Sequence, residues 1–237
     1  MLLIEAAAAK TAKFGVPESG DTVEVVERPG GGITLIMADG QTSGHAAKAI
    51  SNMVVRKAAS LVLEGVRDGA AARAASDYLY TARRGRVSAD LIMLSVDLQS
   101  RTLVVTRNSA CPVMLSCAGN LRLIAEPSSA IGLQRTTRPS ITEIPLAPGL
   151  AVLAFSDGIW AAGAEVACSV PSLAWLEALF MPLALEPTCL VESVLEEAVR
   201  RDAGRPRDDM TVLALAACEA PEERAVRRLR LSLPVGH

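Results

Sequence analysis

The sequence predicts an α+β fold in which two packed antiparallel sheets are covered by helices. Three observations lead there. Apolar runs rich in Val, Ile and Leu come in pairs joined by short Gly- or Ser-containing turns, the pattern of β-hairpins. Two longer segments with apolar residues at three- and four-residue spacing lie together between the first strands and the rest. Consecutive hairpins imply antiparallel pairing rather than βαβ units, and such layers bury both faces of what they stack.

Along the chain, residues 22–28 and 33–38 are β-rich and flank Pro29-Gly30-Gly31-Gly32, a hairpin turn. Gln41-Thr42-Ser43-Gly44 supplies a helix start with Ser43 as N-cap. From His45 to about Gly65, Ala46, Ile50, Met53, Val54, Ala58, Leu61 and Val62 form one face of an amphipathic helix. A second, Ala-rich helix spans 69–84. Hairpins follow at 89–98 with 102–107 and at 112–117 with 121–125. Residues 151–155 form a strand after Pro148-Gly149. Helices are expected over 172–180 and 188–202, the latter stopped by Gly204 and Pro206. A strand runs from Met210, and the alternating tail 229–235 suggests a last edge strand.

The 237 residues fit one domain, 1–237, since single domains run to roughly 250 residues before splitting. Half the residues are hydrophobic and only 3% aromatic, so the core is built from Val, Leu, Ile and Ala. A net charge of −2 argues against general affinity for nucleic acid or anionic membrane. The N-terminus lacks the basic and apolar regions of a signal peptide, and no apolar stretch approaches the ~20 residues of a spanning helix. A cytoplasmic protein is expected, with its five cysteines (Cys111, Cys117, Cys168, Cys189, Cys218) reduced. Only His45 and His237 are present, which excludes a multi-histidine zinc site and makes a Ser-His-Asp triad rest on one residue.

What remains is carboxylate. Ser19-Gly20-Asp21, Ala38-Asp39-Gly40, Ser156-Asp157-Gly158 and Asp208-Asp209 each stand where an apolar strand meets a loop. A lone Asp-Gly pair makes a turn. Four carboxylate rims converging on one core make an oxygen cage for Mg²⁺ or Mn²⁺, the donor set of a metal-dependent hydrolase. Two dications roughly 3.5–4 Å apart lower the pKa of water and neutralise phosphate oxygens during in-line attack. Such hydrolysis needs no nucleophilic Ser or Cys, and no Asp-x-Asp nucleophile motif is visible.

The order Gly-Asp, hairpin, Asp-Gly, helix pair, hairpins, Ser-Asp-Gly, helix, Asp-Asp-φ-Thr resembles the metal-dependent protein phosphatase (protein phosphatase 2C) superfamily, most of all its bacterial SpoIIE-type branch. The resemblance runs from about Ser19 to Ala217. It implies a four-layer α-β-β-α sandwich and a phosphoserine/phosphothreonine protein phosphatase with two Mn²⁺ or Mg²⁺ ions. By position, Asp39 would bridge both ions and the Gly40 carbonyl would complete one. Asp157 and Asp208 would bind the second ion, and Asp21 the first, directly or through water. Asp209, where the wider family often has Asn, would support them. The implied substrate is a phosphorylated regulator, a STAS-type anti-sigma-factor antagonist or stressosome scaffold, and the helix pair at 45–84 would be a regulatory face.

The sequence departs from the family in two places. Gln41 stands where animal members carry an acid-donating His; His45 is either a substitute acid or an exposed residue of the cap region. Arg107-Asn108-Ser109 replaces a Gly-Asp-Ser that serves a third ion, so that ion should be weak or absent. Other residues carry two readings. Asp90 is a turn or edge residue, or lies near the ions or a partner. Lys10 and Lys13 are solvated, or offer positive charge to a phosphoprotein. Arg83, Arg84 and Arg86 close a helix, or dock an acidic partner. Two rival functions are a non-catalytic phosphatase-fold binding protein and a hydrolase of small phosphometabolites.

Overall fold

The computed structural model describes residues 2–164, 171–220 and 227–232. Among them run β1 Leu2–Thr11, β2 Asp21–Glu27, β3 Ile33–Gly40, α1 Gly44–Leu63, α2 Asp68–Arg83, β4 Ala89–Asp97, β5 Thr102–Asn108, β6 Val113–Cys117 and β7 Asn120–Ile124. Then follow β8 Ser140–Pro145, β9 Leu150–Phe155, α3 Asp157–Trp160, α4 Ala174–Leu183, α5 Pro187–Arg201 and β10 Met210–Glu219. One sheet has the order β1-β10-β9-β6-β7 and the other β2-β3-β4-β5-β8. Every pairing within them is antiparallel.

The alternation of side chains along the strands builds the layers. Leu35, Met37, Ile92 and Leu94 point from one sheet into Leu115, Val152, Leu213 and Leu215 of the other. Their neighbours Ile36, Ala38, Leu91 and Met93 point the opposite way, onto Val54, Ala58 and Val62 of α1 and Ala72, Ala75 and Leu79 of α2. Across the molecule Leu153, Phe155, Val212 and Ala214 bury against Leu176 and Phe180 of α4 and Leu190 and Val194 of α5. This is the expected α-β-β-α sandwich. Central strands covered on both faces read as unbroken apolar runs, which is why β3, β9 and β10 stand out in the sequence.

Four details differ from expectation. The hairpins β4–β5 and β6–β7 fall in different sheets, because β6 pairs with β9 rather than with β5. The strands β1 and β8 were not expected. No strand forms over the described part of the predicted tail strand (229–232), whose remainder lies outside the described residues; β1 takes the edge beside β10 instead. Ser43 is the N-cap of α1 as predicted, but its side chain makes no cap hydrogen bond. A buried polar network anchors α2: Arg28 Nη1 donates to Asp68 Oδ1 at 3.1 Å and to Thr34 Oγ1 at 3.0 Å, and Ser95 Oγ donates to the same Asp68 oxygen.

Candidate metal centre

Strand register assembles the first half of the site. Asp21 on β2 lies directly across from Asp39 on β3, and Asp39 lies across from Asp90 on β4. Three carboxylates therefore stand in a row on adjacent strands, about 4.5–5.5 Å apart at Cα as antiparallel partners are. The second sheet supplies the rest. Ser156 follows β9, Asp157 opens α3, and Asp208-Asp209 leads into β10. Ser156 Oγ accepts the Thr211 N–H at 2.9 Å, tying the two strand ends together. Thr211 Oγ1 then donates to Asp21 Oδ2 at 2.6 Å, which joins the two sheets at the site.

The glycines beside these aspartates are there for space. A Cβ on Gly40 would lie 2.1 Å from the Ala47 carbonyl oxygen of α1, and one on Gly158 would lie 2.1 Å from the Asp209 carbonyl oxygen. A Cβ on Gly20 would meet the Ala47 Cβ at 2.6 Å. The three motifs are therefore close-approach points where strand ends touch a helix or a loop, and the turn reading of Asp-Gly does not apply to them.

Asp21 and Asp209 are buried, Asp39, Asp90 and Asp208 partly buried, and Asp157 exposed. Burial, then the charges of Asp21 and Asp157, push Asp39 up to about 11. Burial raises Asp21 to about 6, with Asp209 and Asp157 adding to it, and burial also raises Asp90 to about 6. Asp208 is raised for the same reason. The cluster is short of positive charge. Two buried oxygens, Asp21 Oδ1 and Asp209 Oδ2, meet no hydrogen-bond donor, an arrangement that costs free energy unless a cation takes them. Among the described residues no three such side chains are already closed into an ion cage; the raised Asp39 carboxyl shares a hydrogen bond with Asp21. The donors are all oxygen, with neither His nor Cys among them, and they fit hard divalent cations such as Mg²⁺ or Mn²⁺.

Among the groups around the carboxylates, Lys48 was not singled out in the sequence, and the residues given two readings take definite places. Asp90 is no turn residue: it lies within β4 and accepts a hydrogen bond from Ser109 Oγ at 2.5 Å. Lys10 and Lys48 both donate to the outward-facing carbonyl of Asp21, at 2.9 and 2.6 Å. Burial, then the neighbouring Lys10, pushes Lys48 down to about 8. Lys13 contributes its backbone N–H to Asp209 Oδ1 at 3.0 Å. Asn108 turns away, its Nδ2 donating to the Ser129 carbonyl at 3.1 Å. His45 is 94% exposed and faces Glu18 at 3.4 Å. Arg83, Arg84 and Arg86 are exposed around the left-handed C-cap of α2.

The fold is shared with solved phosphatase structures. The PP2C phosphatase domain of SpoIIE from Bacillus subtilis, determined with a fragment of its regulatory domain, superposes with a TM-score of 0.77 at 20% identity, over 93% of this chain and 65% of that one. The chain thus spans about two-thirds of that relative's length. The RsbU and RsbW domains of Rv1364c from Mycobacterium tuberculosis give 0.74 at 21% identity, over 91% and 60% of the two chains. The catalytic domain of the serine/threonine phosphatase PstP, solved with two manganese ions, gives 0.70 at 20%, over 92% and 100%. No curated protein matches in sequence. Residues 29–217 match the family described as Stage II sporulation protein E (SpoIIE), and since that is most of the chain, the protein belongs to the SpoIIE family and shares the fold of that family's PP2C phosphatase domain.

Proposed function

We propose that this chain is a single-domain, metal-dependent phosphoserine/phosphothreonine protein phosphatase acting on a signalling protein. What supports the reading is the row of Asp21, Asp39 and Asp90 on adjacent strands, with Asp157 and Asp208 beside strand ends of the other sheet and the buried Asp21 Oδ1 left without a donor. Asp39 would help hold both divalent ions and the Gly40 carbonyl one of them; Asp157 and Asp208 would hold the second, and Asp21 the first, directly or through water. Two Mn²⁺ or Mg²⁺ ions bound there lower the pKa of an attacking water and neutralise phosphate oxygens.

The rest is done by the chain's own groups. Thr211 fixes the Asp21 rotamer, Ser109 fixes Asp90, and the Lys13 N–H fixes Asp209. Lys10 and Lys48 hold β1 and α1 against the Asp21 backbone and set two positive charges behind an acidic rim. Gln41 has no proton to give, and the exposed His45 is paired outward, so the leaving alkoxide takes its proton from solvent.

A phosphorylated STAS-type antagonist or stressosome scaffold is the proposed substrate, supported by fold neighbours that carry RsbU domains or come from a bacterial stressosome study. The proposed location is the cytoplasm; among the described residues no helix is long and apolar enough to cross a membrane. Hydrolysis of p-nitrophenyl phosphate tests the reading. Turnover is expected with Mn²⁺ or Mg²⁺ and none with EDTA; turnover that persists in EDTA would refute it.

A further inference from the structure

Beside the carboxylate rim lies an open groove of about 510 Å³, between the end of β5 and the segment joining β7 to β8. Its lining includes Arg107, Ala110, Glu126, Ser128, Thr137 and Arg138. That volume is in the ~300–1,000 Å³ range of ligand sites. The groove is a built feature. Arg107 is 1% exposed, with Nη1 donating to the carbonyls of Ser109 (2.5 Å) and Cys111 (3.1 Å) and Nη2 to that of Glu126. Ser128 Oγ returns a hydrogen bond to the Arg107 carbonyl at 2.6 Å. The segment is thus pinned to β5.

The groove is also electrostatically unbalanced. A guanidinium has five N–H donors, and here the buried Nε–H meets no acceptor. Neutral carbonyls solvate Arg107 without cancelling its charge. At the rim Arg138 is exposed, and among the described residues it makes no ion pair. Within the lining two cations thus stand with one carboxylate, that of Glu126, while Asp90 acts on Arg107 from the carboxylate row. The groove begins at Ala110, next to Ser109, whose hydroxyl holds Asp90 in the row with Asp39. A chain seated in the groove would have its neighbouring side chains at the carboxylates.

We propose that this groove docks the polypeptide of the substrate, taking an Asp or Glu that flanks the phosphorylated residue through Arg138, with the buried Arg107 supplying the field beneath. The inference rests on the phosphatase reading for its occupant, though not for its test. Two labelled phosphoserine peptides of equal length, one with Glu flanks and one with Lys flanks, are titrated by fluorescence anisotropy in EDTA, where turnover is stopped. Wild type should bind the Glu peptide about tenfold tighter (about 1.4 kcal/mol). The exposed-site variant Arg138→Glu should lose or reverse that preference. Equal binding of both peptides by wild type, or an unchanged preference in Arg138→Glu, would overturn the proposal. A preference that persists while wild type fails to hydrolyse p-nitrophenyl phosphate in Mn²⁺ would keep the groove and reject the phosphatase.

Discussion

Asp39→Asn is expected to cut Mn²⁺-dependent hydrolysis of p-nitrophenyl phosphate by at least about a hundredfold, because loss of a mere supporting partner of a metal already costs about 10–100-fold. Asp39 is the middle carboxylate of the row, cross-strand from both Asp21 and Asp90. Asn keeps its size and removes its charge. The metal-free variant should therefore stay folded and melt higher than wild type near pH 7.5, since a carboxyl that burial pushes up to about 11 is kept protonated on folding while the unfolded chain leaves it ionised, which favours unfolding. Loss of activity together with gain of metal-free stability separates a ligand from a structural residue. Activity within threefold of wild type would remove Asp39 from the centre.

Gly40→Ala should be among the most damaging substitutions in the chain. Its backbone is not in the left-handed region, so Ala suits the local conformation; the obstacle is the Ala47 carbonyl oxygen 2.1 Å from the new Cβ. That oxygen belongs to the backbone of α1 and cannot swing aside. Either α1 lifts from β3 or the end of β3 bends. We expect a loss of about 3 kcal/mol in urea unfolding, the upper end of overpacking costs, equivalent to roughly 6–12 °C for a domain of this size. Gly119→Ala is the contrast: its φ of +79° is unfavourable, yet nothing lies within 4 Å, and only the left-handed strain of about 1–2 kcal/mol applies. Equal losses at both positions would show that close approach of β3 to α1 is not what Gly40 provides.

Much of this was legible in the sequence, and the exceptions have physical causes. β3, β9 and β10 are buried on both faces and announce themselves as apolar runs with an aspartate at or beside one end. β1 does not, because Ala6-Ala7-Ala8-Ala9 has no alternation and Ala is a weak strand former; its strandedness comes from ten residues of pairing with β10. β8 is a short edge strand after a long connection, with Ile141 45% exposed, and its pattern is too brief to register. Asp90 was placed at a strand start but left between two readings, because its position in the row depends on β3–β4 register across the inserted helix pair, which no local signal fixes. Lys48 has the same cause: its meaning lies in a carbonyl 27 residues away. Asp21, Asp39, Asp157 and Asp208 could be singled out because each carboxylate sits at or beside a strand end, where local pattern and tertiary position coincide.

The most direct test of the central claim, a carboxylate centre that folds at a cost and is relieved by divalent cations, is thermal stability as a function of pH for wild type and Asp39→Asn, with and without Mn²⁺. A carboxyl whose pKa is higher in the folded than in the unfolded chain gives its full stability below the unfolded value and loses it as pH climbs toward the folded one. From an ordinary value of 3.8, Asp21 and Asp90 complete that loss near pH 6, and Asp39 continues it toward about 11. Metal-free wild type should therefore fall increasingly below Asp39→Asn as pH rises from about 4 through 8, and Mn²⁺ should raise the wild-type midpoint at pH 7.5 while moving the variant little. Parallel curves for the two proteins, with no response to Mn²⁺ in either, would contradict the account.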